Sequence, residues 1–181
     1  MRIVRWSLLG CCLAVLIMPL YAQEKQPAPR GFRAEFLGQA DDVEKKLVSL
    51  AEAVPQEKYS WRPGKDVRSV SEAYMHVVGA NYFFLSFVGA KLPAMERGME
   101  KSVTDKAKVV QALKESFAFV KTTVGNMNDD ELEKEAVMFG MKTTGRNVLF
   151  TLALHMHEHL GQSVAYARSC GVVPPWSVPE K

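Results

Sequence analysis

The sequence predicts an all-α domain, and specifically an antiparallel four-helix bundle. Four segments of roughly 18 to 26 residues repeat apolar positions at the three- and four-residue spacing of an amphipathic helix. No segment shows a clear strand-like alternation of apolar and polar residues. The chain has 181 residues, of which 48% are hydrophobic and 24% are charged. This is the composition of a globular protein and the length of one domain, which four such helices fill.

The first 22 residues are interpreted as a cleaved signal peptide. Arg2 and Arg5 precede an almost continuous apolar run at 8–20, and cleavage is predicted after Ala22. The run is short for a membrane span, which needs about 20 residues. Because the run is short, a retained membrane anchor is only the alternative interpretation. Lipoprotein processing at Cys11 is a weaker alternative. We expect an exported protein, periplasmic or secreted, with no membrane association after cleavage.

The mature chain is predicted to consist of a tether and one domain. Residues 23–31 contain two prolines and are interpreted as flexible, and residues 32–177 form the predicted domain. Signal cleavage removes two of the three cysteines and leaves Cys170 alone. An internal disulfide is then impossible, so the apolar core alone must stabilise the domain.

The first two helices are predicted on either side of an aromatic loop. The first ends at Pro55. Ser69 and Glu72 fit a capping box, so the second helix is expected to begin there and to run to about Val88, before Gly89. The apolar stripe of the first helix consists of Phe36, Ala40, Val43, Leu47, Leu50 and Val54.

The third helix is predicted to begin at Thr104-Asp105 and to end at Gly125-Asn126. A short helical turn is expected at 129–134. The residues that follow, 135–143, include β-branched and aromatic side chains, and we expect an extended segment that crosses the bundle. The apolar stripe of the third helix consists of Val110, Leu113, Phe117, Val120 and Val124.

The fourth helix is predicted from about Thr144 to Cys170, with Gly171 as its C-terminal cap. Two histidines, His155 and His159, interrupt its apolar face. They share that face because residues four apart lie one above the other on a helix. The complete stripe is Val148, Leu152, His155, His159, Gln162 and Tyr166.

A third histidine, His76, lies on an equally apolar face of the second helix, beside Ala73, Val77 and Ala80. Imidazoles on the inner faces of two helices can converge, and neutral imidazole is the commonest metal ligand among side chains. The sequence therefore indicates a divalent-metal site of His76, His155 and His159, with a coordination position left open. Zn is favoured by ligand type, and Ni, Fe and Mn remain alternatives.

Other interpretations of the histidines are weighed against this one. A core histidine is often hydrogen-bonded instead of metal-bound. The segment 155–159 lacks the glutamate that follows the first ligand of an HExxH motif, so zincin chemistry is disfavoured. His157 and Glu158 point away from the shared face, and His157 is expected at the surface.

Two groups of motifs resemble those of the DinB-like family. The first is Tyr59-Ser-Trp61-Arg62-Pro63 followed by Arg68-Ser69-Val70-Ser71-Glu72 and His76. The second is His155-x-x-Glu158-His159-x-Gly161-Gln162, then Tyr166-x-Arg168, Gly171 and Pro174-Pro175-Trp176-Ser177. The resemblance covers essentially the whole mature chain.

The resemblance implies a four-helix bundle whose second and third helices are joined by a long crossover. It also implies that His76, His155 and His159 bind a divalent metal. Some members of the family are thiol S-transferases or maleylpyruvate isomerase-like enzymes that use low-molecular-weight thiols, and many have no established activity. The predicted signal peptide departs from the thiol-using relatives, which work in the cytoplasm.

Several further residues are weaker candidates. Gln162 is positioned to orient a ligand or water, with packing as the alternative. Tyr166 is expected to pack in the core. Trp61 and Trp176 are expected to cover the ends of the bundle, with a ligand-lining role as the alternative. Glu72 is expected to be a cap and not a general base. No catalytic residue is assigned.

Cys170 is a possible nucleophile, but only Arg168 nearby would lower its pKa. A net charge of +3 gives no sign of a nucleic-acid partner, and no Gly-rich phosphate-binding loop is present in the sequence.

The expected partner is a small-molecule substrate, and a homodimer is left open. Two functions compete: a metal-dependent enzyme, hydrolase or thiol-transferase-like, and a non-catalytic metal-binding or structural protein of the envelope.

Overall fold

A computed structural model describes residues 30–94 and 96–177. The predicted signal peptide at 1–22 lies outside these residues, as does the tether apart from its last two positions. Four long helices dominate the described chain: α1 (Gly31–Ala53), α2 (Val70–Ser86), α4 (Lys106–Asn126) and α6 (Gly145–Ser169). Among the described helices, none is both long and apolar enough to span a membrane.

The helix starts follow the predicted capping chemistry. Ser69 and Glu72 form the complete capping box of α2: the Ser69 hydroxyl accepts the Glu72 N–H, and the Glu72 carboxylate accepts the Ser69 N–H at 2.8 Å. The side chains of Asp105 and Thr144 cap α4 and α6 in the simpler way, by accepting the N–H three residues later. Gly171 has φ +80° just after α6, the conformation of a C-terminal glycine cap.

The apolar stripes meet in one core. Phe36, Leu47 and Leu50 of α1 belong to the same buried cluster as Leu113, Phe117 and Val120 of α4, and all six are at most 2% exposed. In the bundle cross-section, α1 and α2 each contact both α4 and α6. In cross-section, α1 therefore lies diagonally opposite α2, and α4 lies diagonally opposite α6.

Side-chain pairs give the directions of α1, α4 and α6. The ion pair Glu52–Lys114 joins the end of α1 to the first half of α4, and the ion pair Asp41–Lys121 joins the first half of α1 to the second half of α4, so these helices are antiparallel. Phe32 stacks against the Arg146 guanidinium near the start of α6, and Gln39 contacts His157 further along. The helices α1 and α6 therefore run in the same direction.

The direction of α2 follows in the same way. His76 contacts His159, whereas Phe84, two turns later on α2, contacts His155 earlier on α6. Since α2 is antiparallel to α6, it must run in the same direction as α4. The connection 87–105 therefore has to return along the bundle before α4 begins. This confirms the four-helix bundle with a long crossover between its second and third long helices.

Two smaller parts of the fold bear on the site. The crossover contains a one-turn helix, α3 (Met99–Ser102), which packs against α2 and which the sequence analysis did not predict. After the predicted helical turn, seen as α5 (Asp129–Leu132), the chain forms an antiparallel hairpin of β1 (Glu135–Met138) and β2 (Met141–Thr144). The expectation of one extended segment across the bundle was wrong, because Phe139 and Gly140 both adopt positive φ and reverse the chain.

Candidate metal centre

The three predicted ligands lie together between α2 and α6. One nitrogen from each of His76, His155 and His159 lies within 4.8 Å of the other two. The Nε2 atoms of His76 and His155 are 3.2 Å apart. The ring centroids of His155 and His159, one helical turn apart on α6, are separated by 4.4 Å. We call these three residues the histidine cluster.

The other two residues of the motif on α6 face away from the cluster. His157 is exposed, and its Nε2 lies 2.9 Å from the Gln39 side-chain oxygen on α1. Glu158 is also exposed. The structure thus separates the inward pair on α6 from its two polar neighbours, as the helical spacing predicted.

A carboxylate from the crossover orients His76. Oε2 of Glu100, on α3, lies 3.0 Å from Nδ1 of His76, and Oε1 of the same carboxylate accepts a hydrogen bond of 2.8 Å from Nε of Arg68. A carboxylate only accepts, so Nδ1 of His76 carries the proton and Nε2 presents a lone pair to the other histidines. Pairs of this kind fix the tautomer and the ring orientation of metal-binding histidines.

An amide plays the same role for His159. The side-chain oxygen of Gln162 accepts from Nδ1 of His159 at 2.7 Å, and the Gln162 amide group donates to the Tyr166 hydroxyl at 3.1 Å. The predicted orienting role of Gln162 is therefore present in the geometry. Tyr166 is buried, as expected, and it supports Gln162 in addition to packing.

The pKa values in the cluster favour neutral imidazoles. Burial, together with the neighbouring histidines, lowers the pKa of His155 to about 4. Burial also lowers the pKa of His159, against the opposing effect of the bond to Gln162. Burial alone would raise the pKa of Glu100, but hydrogen bonds from Arg68 and His76 outweigh it and leave that pKa lowered. Neutral imidazole is the form that binds metals, so the cluster needs no proton release from these two rings at neutral pH.

The donor set fits a divalent metal ion. Three convergent imidazoles with few competing contacts are typical ligands for such an ion. Nδ1 of His155 is buried and has no hydrogen-bond partner among the described residues. Buried polar atoms without a partner are uncommon in native structures, and a bound ion or a catalytic role is among the reasons for them. The outer partners of His76 and His159 contact Nδ1 of each ring, which leaves Nε2 as the nitrogen that would coordinate.

An apolar cavity of about 380 Å³ lies beside the cluster and reaches His76 and His155. We call it the phenylalanine cavity, since its apolar wall includes Met75, Gly79, Phe83, Phe84, Met99 and Phe139. The alternative that Trp61 and Trp176 line the ligand site is not supported at this cavity. Trp61 packs edge-on against Tyr166, with ring centroids 5.5 Å apart. Trp176 is 42% exposed and lies near the C-terminal end of the chain.

The remaining candidates have structural roles. Glu72 is the cap of α2, as expected, and it also pairs with Arg62 at 3.2 Å. Burial raises the pKa of the Cys170 thiol, so the thiolate that a nucleophile needs is disfavoured. Glu100 is the residue of the candidate site that the sequence analysis missed, because its four-residue helix is too short to show a periodic pattern.

Comparisons with known proteins agree with this architecture. YjoA, an uncharacterized protein of Bacillus subtilis, is 24% identical over 127 residues, which are 67% of this chain and 80% of YjoA. A DinB-like protein of Bacillus cereus superposes with a TM-score of 0.67 at 21% identity, over 80% of this chain and 93% of that one.

A third relative, YfiT of Bacillus subtilis, is described as "a probable metal-dependent hydrolase with an unusual four-helix bundle topology". It superposes with a TM-score of 0.63 at 12% identity, over 82% of this chain and 93% of that one. At these identities the two structures show a shared fold. The sequence itself matches the DinB family over residues 26–178. The chain therefore belongs to the DinB family.

Proposed function

We propose that this protein is a metal-dependent hydrolase that acts on a small molecule. The observation that carries the proposal is the convergence of three imidazoles within 4.8 Å beside a cavity that reaches two of them. YfiT, which shares the fold, is described as a probable metal-dependent hydrolase, and this agrees with the proposal.

Zinc is the metal that we propose. The 3.2 Å between Nε2 of His76 and Nε2 of His155 is close to the roughly 3.3 Å that separates two nitrogens bound tetrahedrally at 2.0–2.1 Å. Ni, Fe and Mn also accept imidazole ligands and are the alternatives. Three protein ligands leave room for water or substrate, as in catalytic zinc sites.

The chemistry divides between the ion and the chain. A bound divalent ion lowers the pKa of a coordinated water and polarises a substrate carbonyl. Glu100 and Gln162 hold the rings of His76 and His159 so that Nε2 of each faces inward. Glu100 already accepts from both Arg68 and His76, which keeps it ionised and suits it to orient a ligand instead of abstracting a proton.

Two other functions are compatible with the same residues. In a thiol transferase, the open position would activate a low-molecular-weight thiol instead of water. In a non-catalytic protein, the site would be structural or would store metal, and a fourth ligand would close it. The cavity beside His76 and His155 favours a site that small molecules enter.

A substrate screen separates these functions. The purified protein is loaded with Zn²⁺ and tested against aryl and alkyl esters and amides, with and without a low-molecular-weight thiol. Turnover without thiol that is lost in His155→Ala and kept in His157→Ala supports the hydrolase. Turnover only with thiol supports the transferase, and metal binding without any turnover supports the non-catalytic function.

We also propose that the chain is exported and cleaved after Ala22, on the basis of Arg2, Arg5 and the apolar run that follows. Mass spectrometry of the protein from an export-competent host should give an N-terminus at Gln23 or within a few residues. Soluble protein that retains Met1 would contradict export.

A further inference from the structure

The phenylalanine cavity has the size and chemistry of a binding pocket. Its volume of about 380 Å³ falls within the range of roughly 300–1,000 Å³ that small-molecule pockets occupy. The polar side chains of its lining, those of His76, Glu100 and His155, belong to the candidate metal centre or touch it. A molecule in the cavity would therefore meet hydrocarbon over most of the cavity wall and the histidine cluster at one part of it.

Phe139 forms the outer wall of this cavity in an unusual way. It lies at the tip of the hairpin with φ +52°, a conformation that is uncommon for a bulky residue and is found at functional sites more often than elsewhere. The residue is 59% exposed, so core packing does not account for its position. The ring lies against Phe83 and Phe84 of α2 and against Phe87 just after it, with ring centroids 5.5–6.0 Å apart.

Gly79 leaves the floor of the cavity open. It lies in the middle of α2, where glycine is the least favourable residue after proline. Packing does not require it, because a Cβ at this position would have no heavy atom within 4 Å. Its φ is not positive either, so the backbone does not require glycine. The space in front of Gly79 is the cavity itself.

We propose that the phenylalanine cavity binds the hydrophobic part of the substrate, a phenyl or branched alkyl group of about six to ten carbon atoms. This inference rests on the proposed function, which places the reacting group at the histidine cluster. The size follows from the volume: an apolar cavity of about 150 Å³ is enough for benzene. In this arrangement Phe139 and Gly79 determine specificity, and the bond to be broken lies between the hydrocarbon and the polar end.

The test uses a neutral probe, butylbenzene, so that its result does not depend on metal chemistry. The purified protein carries ¹³C-labelled methionine methyl groups and is titrated with and without Zn²⁺. Met75 and Met99 line the cavity, whereas Met127 and Met156 are buried and are not part of its lining. The inference predicts saturable shifts at the first two methyl groups and much smaller ones at the other two. Equal shifts at all four, or none, would overturn it.

Two pairs of variants show where the probe binds. Gly79→Leu should fill the cavity and weaken binding by at least about tenfold. Gly38→Leu is its control, since Gly38 is an exposed helical glycine of α1 with equally open space. Phe139→Ala should weaken binding by about three- to tenfold. Phe150→Ala is its control, since Phe150 is 50% exposed and is not part of the cavity lining.

The outcomes separate this inference from the proposed function. Butylbenzene binding that Gly79→Leu and Phe139→Ala leave unchanged overturns the inference, even if the protein hydrolyses short esters. Cavity binding in a protein without hydrolase activity supports the inference and counts against the proposed reaction alone. Phe139 is largely exposed, so its variant tests the inference even if Gly79→Leu disturbs the fold.

Discussion

Oε2 of Glu100 lies 3.0 Å from Nδ1 of His76, and this contact joins the crossover to the candidate metal centre. The two residues are 24 positions apart, on α3 and α2. Arg68, just before α2, holds the other oxygen of the carboxylate. The one-turn helix α3 therefore has a definite role: it supplies the group that fixes the tautomer of His76.

Glu100→Gln should weaken Zn²⁺ binding by roughly 10- to 100-fold, the usual effect of removing an outer partner of a metal-binding histidine. The substitution keeps the shape of the side chain but removes the charge that favours a proton on Nδ1. Competition with a chelator measures the affinity. Glu96→Gln, an exposed carboxylate of the same crossover, is the control and should bind Zn²⁺ normally. Equal affinities for both variants would show that Glu100 does not act through His76.

Single alanine substitutions of His76, His155 and His159 should each abolish stoichiometric metal binding, because each removes one of three ligands. Elemental analysis of the purified variants measures this directly. His157→Ala should retain the metal, since His157 is exposed and contacts Gln39 instead of the cluster. Retention by His76→Ala would show that the third ligand is misassigned.

Gly145→Ala should destabilise the fold by about 1–3 kcal/mol, the cost of overpacking a closely packed site. A Cβ at Gly145 would lie 2.8 Å from the carbonyl oxygen of Glu131, which is backbone and cannot easily move. Gly161→Ala in the same helix should stabilise it by about 0.5–1 kcal/mol, because a Cβ there has open space and alanine favours helix. Urea unfolding of the two variants measures both effects, and opposite signs are the expected result.

The capping box of α2 should contribute to stability in a pH-dependent way. The hydrogen bond from the Ser69 backbone N–H lowers the pKa of Glu72. Burial acts in the opposite direction, and Arg62 lowers the pKa further. Because the folded pKa lies below the unfolded value of about 4.5, the unfolded chain binds more protons in this window and stability rises with pH. The contribution is therefore complete above pH 4.5 and is lost as the pH falls through the lowered pKa.

Glu72→Gln tests this contribution. The difference in unfolding free energy between the original protein and the variant should be constant from pH 7 to about pH 5 and should shrink below it. Glu57→Gln, at an exposed position before α2, is the control and should show no such change. A difference that does not vary with pH would mean that the charge of Glu72 does not contribute.

The sequence predicted the parts of this structure that repeat with the period of a helix. His155 and His159 were placed on the inner face of α6 because Val148, Leu152 and Tyr166 continue the same stripe. The start of α2 was predicted from Ser69 and Glu72, because a capping box is a local arrangement of side chains and backbone. Export was predicted from a segment outside the described residues, and it stays a prediction.

The missed features depend on contacts between distant parts of the chain. Glu100 lies on four helical residues, which show no period, and it meets His76 only because the crossover returns beside α2.

The hairpin was missed for a different reason. Gly140 is an ordinary turn residue, but phenylalanine rarely adopts positive φ, so the pair Phe139-Gly140 gave a weak turn signal. The position of Phe139 at the cavity depends on its contacts with Phe83 and Phe87, which are more than 50 residues away in the sequence, so the sequence pattern could not predict it.

The shared direction of α2 and α4 has a consequence for how the chain folds. Parallel neighbours cannot pair through a short hairpin, so the segment 87–105 must be ordered along the length of the bundle, at an entropic cost, before α2 and α4 can pack side by side. We expect slower folding than in a bundle of the same length whose consecutive helices all pair locally. His76 and His155 are also 79 positions apart, so the histidine cluster closes only after α6 docks. A metal ion held by all three rings would thus bind the completed bundle and not its folding intermediates.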